Sequence, residues 1–182
     1  MLQLLLAAPS SGSGKTTAAC ALLSALKARG LEPCAFKCGP DYIDPMFHRA
    51  VVGGPSHNLD LFFSTPQTGR QLYTSGAAGH GSAVCEGAMG YYAGLGGVSA
   101  TASAWHTADV LDLPELLVVR PKGASLTLAA QLQGLKAFRK PHHIAGVLLN
   151  DCTEMLYKLL VPMLERETGL PVVGFLPPMP DA

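Results

Sequence analysis

The sequence predicts an α/β fold: a mostly parallel sheet with helices on both faces. Two observations carry that prediction. Short apolar runs alternate with longer stretches of helical spacing along the 182 residues. No internal repeat or low-complexity tract interrupts this alternation, which is the pattern of strands buried between two helical layers.

The first element is a strand over Leu2–Leu6, followed by a helix from about Lys15 to Arg29. Leu22, Leu23 and Leu26 have helical spacing, and Gly30 stands where a C-terminal cap belongs. Pro33–Cys38 reads as a second strand ending at Gly39-Pro40. Residues Asp41 to Pro66 are rich in Gly, Pro, Asn and Asp, so mostly loop is expected, with a short helix around His48. A helix over Gln67–Ala77, a strand at Ala83–Cys85, a Gly-rich loop from Gly87 to Gly97 and a helix around Ala100–Asp109 follow. Then come a strand at Leu116–Val119, a helix at Ser125–Phe138, a strand at Ile144–Leu149, a helix at Met155–Glu167 and a last strand at Val172–Phe175. Ligands of such sheets bind beyond the carboxyl ends of the strands. Lys37, Glu86 and Asn150 all fall at or just past strand ends, so separate motifs converge on one mouth.

Composition removes several function classes. Lys and Arg total 13, as do Asp and Glu, giving zero formal charge. A nucleic-acid partner is therefore not expected, since neutralising phosphates needs surplus cations. Charged residues are 14% and hydrophobic ones 48%, too apolar for disorder. So few charges suggest that other protein covers part of this surface. No window approaches the ~18 apolar residues of a membrane span, and Leu2–Ala8 lacks the basic start of a signal peptide. The five cysteines, Cys20, Cys34, Cys38, Cys85 and Cys152, include no CxxC pair and read as reduced thiols of a cytoplasmic protein. The six histidines show no metal-ligand spacing with carboxylates or cysteines. His142-His143 reads as solvated, His48 as a structural or substrate contact, and Trp105 and the phenylalanines as core.

Ala8-Pro9-Ser10-Ser11-Gly12-Ser13-Gly14-Lys15-Thr16-Thr17 follows a strand and opens a helix, the setting of a phosphate-binding loop. Ser11, Gly12, Ser13 and Gly14 would bring backbone N–H groups around phosphate oxygens at a helix N-terminus. Lys15 would reach the outer phosphates of ATP, Thr16 would take one Mg²⁺ position, and Thr17 completes the motif. The leading glycine of G-x-x-x-x-G-K-[ST] is replaced by Pro9.

Mg²⁺ needs hard oxygen ligands, and two groups offer them. Glu86 follows a strand and precedes Gly87. Asp41 and Asp44 lie in Gly39-Pro40-Asp41-Tyr42-Ile43-Asp44-Pro45, where two prolines stiffen the turn; capping roles for these aspartates are the alternative. Lys37 ends an apolar strand, where a buried amine needs an anion; it is a candidate for holding a substrate carboxylate or the transferred phosphoryl group.

On these residues the chain resembles the amino-terminal synthetase domain of the cobyrinate a,c-diamide synthase family. The resemblance spans residues 1–182. It is carried by Ser10 to Thr17, by Phe36-Lys37-Cys38-Gly39-Pro40-Asp41-Tyr42-Ile43-Asp44-Pro45, by Asn58-Leu59-Asp60, and by Glu86-Gly87-Ala88-Met89-Gly90. Ile144 to Asn150 and Leu176-Pro177-Pro178-Met179-Pro180 fit as well. It implies a P-loop NTPase-like fold similar to dethiobiotin synthetase and an ATP- and Mg²⁺-dependent ligase. That ligase amidates the a and c carboxylates of a corrinoid through an acyl phosphate, with ammonia from a carboxyl-terminal glutaminase domain that this chain lacks. A glutaminase subunit or free ammonia would replace that domain, and a homodimer is compatible with the reading. Lys15, Lys37, Asp44 and Glu86 would then be catalytic, with Thr16, Asp41, Asp44 and Glu86 around the metal. Asn150 would read the adenine edge, and Tyr42 and Asp60 would line the macrocycle site. The family pattern continues with Asp and Gly where this chain has Ala93-Gly94, so an acidic residue associated with its active site is missing.

Three alternatives stay open at this point. One is amidation of another tetrapyrrole, such as hydrogenobyrinic acid or nickel sirohydrochlorin. Another is a partition-type ATPase switch, although Ser10 stands where such switches carry a second lysine. The third is a silent nucleotide-binding domain, which Ala93 leaves open.

Overall fold

The computed structural model describes residues 1–39, 41 and 43–179. Among them seven strands form one sheet: β1 (Leu2–Ala7), β2 (Pro33–Cys38), β3 (Ser56–Leu59), β4 (Ser82–Glu86), β5 (Glu115–Val119), β6 (Ile144–Leu149) and β7 (Val172–Phe175). Their order is β3-β2-β4-β1-β5-β6-β7, and each neighbouring pair is parallel. Six helices connect them: α1 (Lys15–Ala28), α2 (Ile43–Val52), α3 (Pro66–Ala77), α4 (Ala104–Leu111), α5 (Ser125–Phe138) and α6 (Glu154–Thr168).

Alternation along the strands sorts the helices into two layers. Leu6, Ala35, Val84 and Val118 pack with Ala18, Ala19, Leu23 and Leu26 of α1 and Val52 of α2. The opposite face, with Leu5, Ala7, Phe36, Leu117 and Val147, packs with α3, α4, α5 and α6. The chain moves from β1 to one side through β4 and then crosses to β5 on the other. Such a reversal opens a crevice at the carboxyl ends of the strands. Gly30, at φ +72°, ends α1 as expected.

In the stretch from Asp41 to Pro66 the expected helix around His48 is present, but less of it is loop than expected. It holds a helix of ten residues, α2, and the edge strand β3. Pro45 lies in the first turn of α2, where a missing N–H is no loss, and His48 and Val52 bury one helical face. The Ser-His-Asn-Leu of β3 has no apolar alternation; pairing with β2 makes it a strand. The helix expected from Ala100 starts at Ala104, because Ala102 takes φ +62° and the Ser103 hydroxyl caps the His106 N–H. Within the Gly-rich loop, Leu95–Gly97 forms one 3-10 turn.

Two burial expectations are corrected. Of the phenylalanines, Phe47, Phe62, Phe63 and Phe138 are exposed, whereas Phe36 is core. The histidine pair is half-buried rather than fully solvated: His143 Nε2 meets Asp109 Oδ1 at 3.0 Å, and His142 Nδ1 is buried. All five cysteines are free thiols, four of them buried.

Glu115 at the start of β5 is fully buried. The Tyr91 hydroxyl donates to its Oε2, while Oε1 has no partner among the described residues. Burial pushes this carboxyl up to about 8, against the opposing pull of the Tyr91 bond. Its folded pKa exceeds the unfolded value of about 4.3, so the fold keeps a proton that the unfolded chain releases. Stability therefore falls as pH rises through that window and levels off above it, a loss on the order of 3 kcal/mol by neutral pH. Glu115→Gln is expected to remove this slope. Urea midpoints at about pH 5 and about pH 8 check it, and equal pH dependence in both proteins would refute it.

Candidate active site

The site is built where β1, β2 and β4 end side by side. β1 leads into the loop from Ala8 to Gly14, which turns through Gly12 at φ +73° and Gly14 at φ +91° before α1 begins. Left-handed values such as these favour residues without a Cβ. Ser13, nearly buried, donates to the Ser10 carbonyl at 2.9 Å. Asn150, just after β6, donates from Nδ2 to the Ser13 carbonyl at 2.9 Å and so braces the loop from below. No acceptor among the described residues takes the N–H groups of Ser11 to Gly14.

β2 and β4 pair with Lys37 directly opposite Glu86. Both side chains are buried. Lys37 Nζ lies 2.9 Å from Glu86 Oε1, 2.5 Å from Asp44 Oδ2 and 3.8 Å from Asp41 Oδ2. Thr16, on the first turn of α1, donates its hydroxyl to the same Oε1 at 2.7 Å. Lys15 arches over the loop to the Met89 carbonyl at 2.6 Å. These groups surround a cavity of about 410 Å³, lined also by Ser11, Gly12, Thr17 and Ala88.

The charges are mutually dependent. Burial raises the Glu86 carboxyl, but bonds from His48, Lys37 and Thr16 bring it below the usual carboxylate value. Burial likewise lowers Lys37, and Glu86 and Asp44 more than restore it. Lys15 differs: burial and the neighbouring Lys37 ammonium hold it below an ordinary lysine. An anion in the cavity would relieve both causes. Two lysines, free loop amides and nearby carboxylates thus fit a phosphate chain with a divalent cation. Thr16, Glu86, Asp44 and Asp41 would hold that cation. Lys37 now sits among the three carboxylates, and the described residues contain no group of three or more His, Cys, Asp or Glu side chains set to hold a metal.

Not every expected residue joins this cluster. Asp41 does line the cavity, with Oδ2 3.8 Å from Lys37 Nζ, while its Oδ1 caps α2 by accepting from the Ile43 N–H at 2.9 Å. Asn150 lines a second cavity with Thr17, Arg120, Asp151, Pro177 and Met179. Asp60 ends β3 in a turn, accepting from the Phe62 N–H at 2.8 Å, and does not line the phosphate-loop cavity. Tyr42 lies outside the described residues. Ala93 lines a separate cleft of about 320 Å³ with Pro9, Tyr92, Ser99 and Arg139. His48, which the sequence suggests as a structural or substrate contact, also belongs here: its Nε2 is 2.8 Å from Glu86 Oε2. Its signal was its place four residues after Asp44, which puts both on one face of α2.

A parallel sheet whose first strand delivers a Gly-rich loop, a lysine and a threonine to a helix defines a P-loop NTPase-like, nucleotide-binding class. Within that class the chain belongs to the CobQ/CobB/MinD/ParA nucleotide binding domain family (CbiA), whose model matches residues 4–182. It is 42% identical over 173 residues to the cobyrinate a,c-diamide synthase of Gloeobacter violaceus, covering 95% of this chain and 38% of that protein. It is 40% identical over 174 residues to the hydrogenobyrinate a,c-diamide synthase of Streptomyces coelicolor, covering 96% and 36%. The chain thus spans under two-fifths of the length of these relatives. Among solved structures, the signal recognition particle 54 kDa protein of Aeropyrum pernix, in complex with GDP, matches with a TM-score of 0.66. It is 15% identical, with 97% of this chain and 42% of that one covered. The hydrogenase maturation factor HypB of Archaeoglobus fulgidus matches at 0.58 and 10% identity, over 96% and 80%. Both show the shared fold. No helix among the described residues is long and apolar enough to cross a membrane.

Proposed function

We propose that this domain activates the a and c carboxylates of a corrinoid for amidation, at the expense of ATP. The carrying observation is the meeting of Lys15, Lys37, Thr16, Asp44 and Glu86 at one cavity. The names of the relatives supply the substrate class. Relatives named for cobyrinate and hydrogenobyrinate are about equally similar, at 42% and 40%. The proposal therefore covers the ring with or without cobalt. Ser10, where partition-type switches carry lysine, speaks against a switch.

Mg²⁺, held by Thr16 and Glu86 with Asp44 or Asp41, would neutralise charge on the phosphates. The remaining work is done by this chain's side chains. Loop amides and Lys15 grip the outer phosphates, and Asn150 with its small cavity receives the base. Lys37 faces the point where a substrate carboxylate meets the terminal phosphorus and balances the charge that spreads there. The carboxylate oxygen bonds to phosphorus as the bond to ADP breaks; ammonia then displaces phosphate from the acyl carbon, leaving the amide. Ammonia would come from a glutaminase domain or subunit of the whole protein. Met89, which lines the cavity, and Ile43, Met46 and Phe47 on α2, the helix that carries Asp44, are exposed apolar residues, suited to a macrocycle's ring. The free thiols fit a reducing, cytoplasmic setting.

The test is direct. The protein is incubated with ATP, Mg²⁺, ammonium and cobyrinic or hydrogenobyrinic acid, and product mass is followed; a gain of amides is expected. ATP turnover indifferent to either acid and stimulated by DNA or lipid would reject the proposal. Lys15→Ala should weaken ATP binding about 100-fold, the scale of losing charge-assisted bonds to phosphate. Its thermal stability should hardly change, because a buried amine with one carbonyl partner is removed. Calorimetric titration and melting check the two arms.

A further inference from the structure

We infer that His48 is a positioning residue for this site. Its imidazole decides which oxygen of Glu86 is offered to Thr16 and Lys37 and, through α2, where Asp44 stands. The functional meaning rests on the proposed phosphoryl chemistry, whereas the contact itself does not.

His48 and Glu86 are each 1% exposed. His48 Nε2 lies 2.8 Å from Glu86 Oε2, and Nδ1 lies 3.3 Å from Ser56 Oγ. An ionised carboxylate only accepts, so Nε2 carries a proton and donates to Oε2, while Nδ1 faces the Ser56 hydroxyl, which can donate to it. With Oε2 engaged, Oε1 alone faces Thr16 at 2.7 Å and Lys37 at 2.9 Å. Without that donor the carboxylate could turn and place both oxygens on the lysine. His48 also links three elements around Lys37, since it sits on α2, Ser56 on β3 and Glu86 on β4. Asp44, one turn earlier on the same helix, meets Lys37 at 2.5 Å. Fixing the helix to Glu86 thus fixes the second carboxylate. Residues that orient ligand side chains in this way typically change metal affinity or activity by about 10–100-fold when lost.

Two readouts test the inference. Imidazole nitrogen shifts of the ¹⁵N-labelled protein should show His48 protonated at Nε2. In Glu86→Gln the proton should move to Nδ1, because the amide keeps its oxygen on Lys37 and Thr16 and turns its NH₂ toward the ring. A His48 without a proton on Nε2 in the parent protein, or one whose nitrogen shifts are unmoved by Glu86→Gln, would overturn the inference. The second readout is ATP affinity with and without Mg²⁺. His48→Leu should lose at least about 10-fold of the metal-dependent gain. His48→Gln carries an amide nitrogen where Nε2 was and should recover most of it. Folded Leu and Gln variants that behave alike would refute the role. Failure of the parent protein to bind ATP would reject the proposed function, and the nitrogen shifts would then decide the fate of His48 alone.

Discussion

Glu86→Ala is expected to lower the melting temperature by about 6–12 °C and to abolish the proposed amidation. Glu86 is 1% exposed and takes bonds from Thr16, Lys37 and His48. Removing one member of a buried ion pair leaves an uncompensated charge, typically costing 3–5 kcal/mol. Asp44 remains beside Lys37, so about 3 kcal/mol is the better figure, and each such unit shifts a domain of this size by about 2–4 °C. Glu86→Gln separates stability from chemistry. Its amide oxygen still accepts from Thr16 and Lys37, so it should melt within about 1–2 kcal/mol of the parent protein and yet remain inactive. The sign with pH is opposite to that of Glu115. Glu86 is held below its unfolded value, so its contribution is full above about pH 4.3 and disappears as pH falls through the folded value. A Glu86→Ala protein that melts like the parent would reject the buried network.

The second large effect is expected at Gly14. A Cβ there would lie 2.0 Å from Asn150 Nδ2, and the backbone sits at φ +91°. Asn150 must move, and its bond to the Ser13 carbonyl goes with it. Backbone strain adds about 1–2 kcal/mol. Gly14→Ala should therefore destabilise by about 2–4 kcal/mol and reduce ATP affinity at least 100-fold, about 3 kcal/mol of binding. Gly12→Ala is the control, because its Cβ would meet no protein atom within 4 Å. Adding Asn150→Ala to Gly14→Ala should return part of the stability, since the clash partner is gone. Strict additivity of the two losses would show that they do not touch.

Much of this was legible in the chain. Strands such as Leu2–Ala7, interrupted only by Gln3, and Ile144–Leu149 are apolar runs whose bounds the sequence indicates within a residue. The Gly12-Ser13-Gly14-Lys15-Thr16 order, set between a strand and a helix, located the phosphate loop. The segment from Asp41 to Pro66 was less legible: β3 is a strand through pairing with β2, and α2 is anchored through His48. His48 itself carried no spacing signal toward Glu86, from which it is 38 residues distant.

Local pattern thus determined which segments became strands or helices and which residues could carry phosphate chemistry, because hydrophobic period and loop sterics act over a few neighbours. Only the tertiary structure decided which of those residues meet. The register of β2 on β4 sets Lys37 opposite Glu86, and packing of α2 brings Asp44 and His48 to them. Buried charges find partners through space, across elements far apart in sequence, and the balance between burial and pairing that sets their ionisation exists only once the sheet has closed around them.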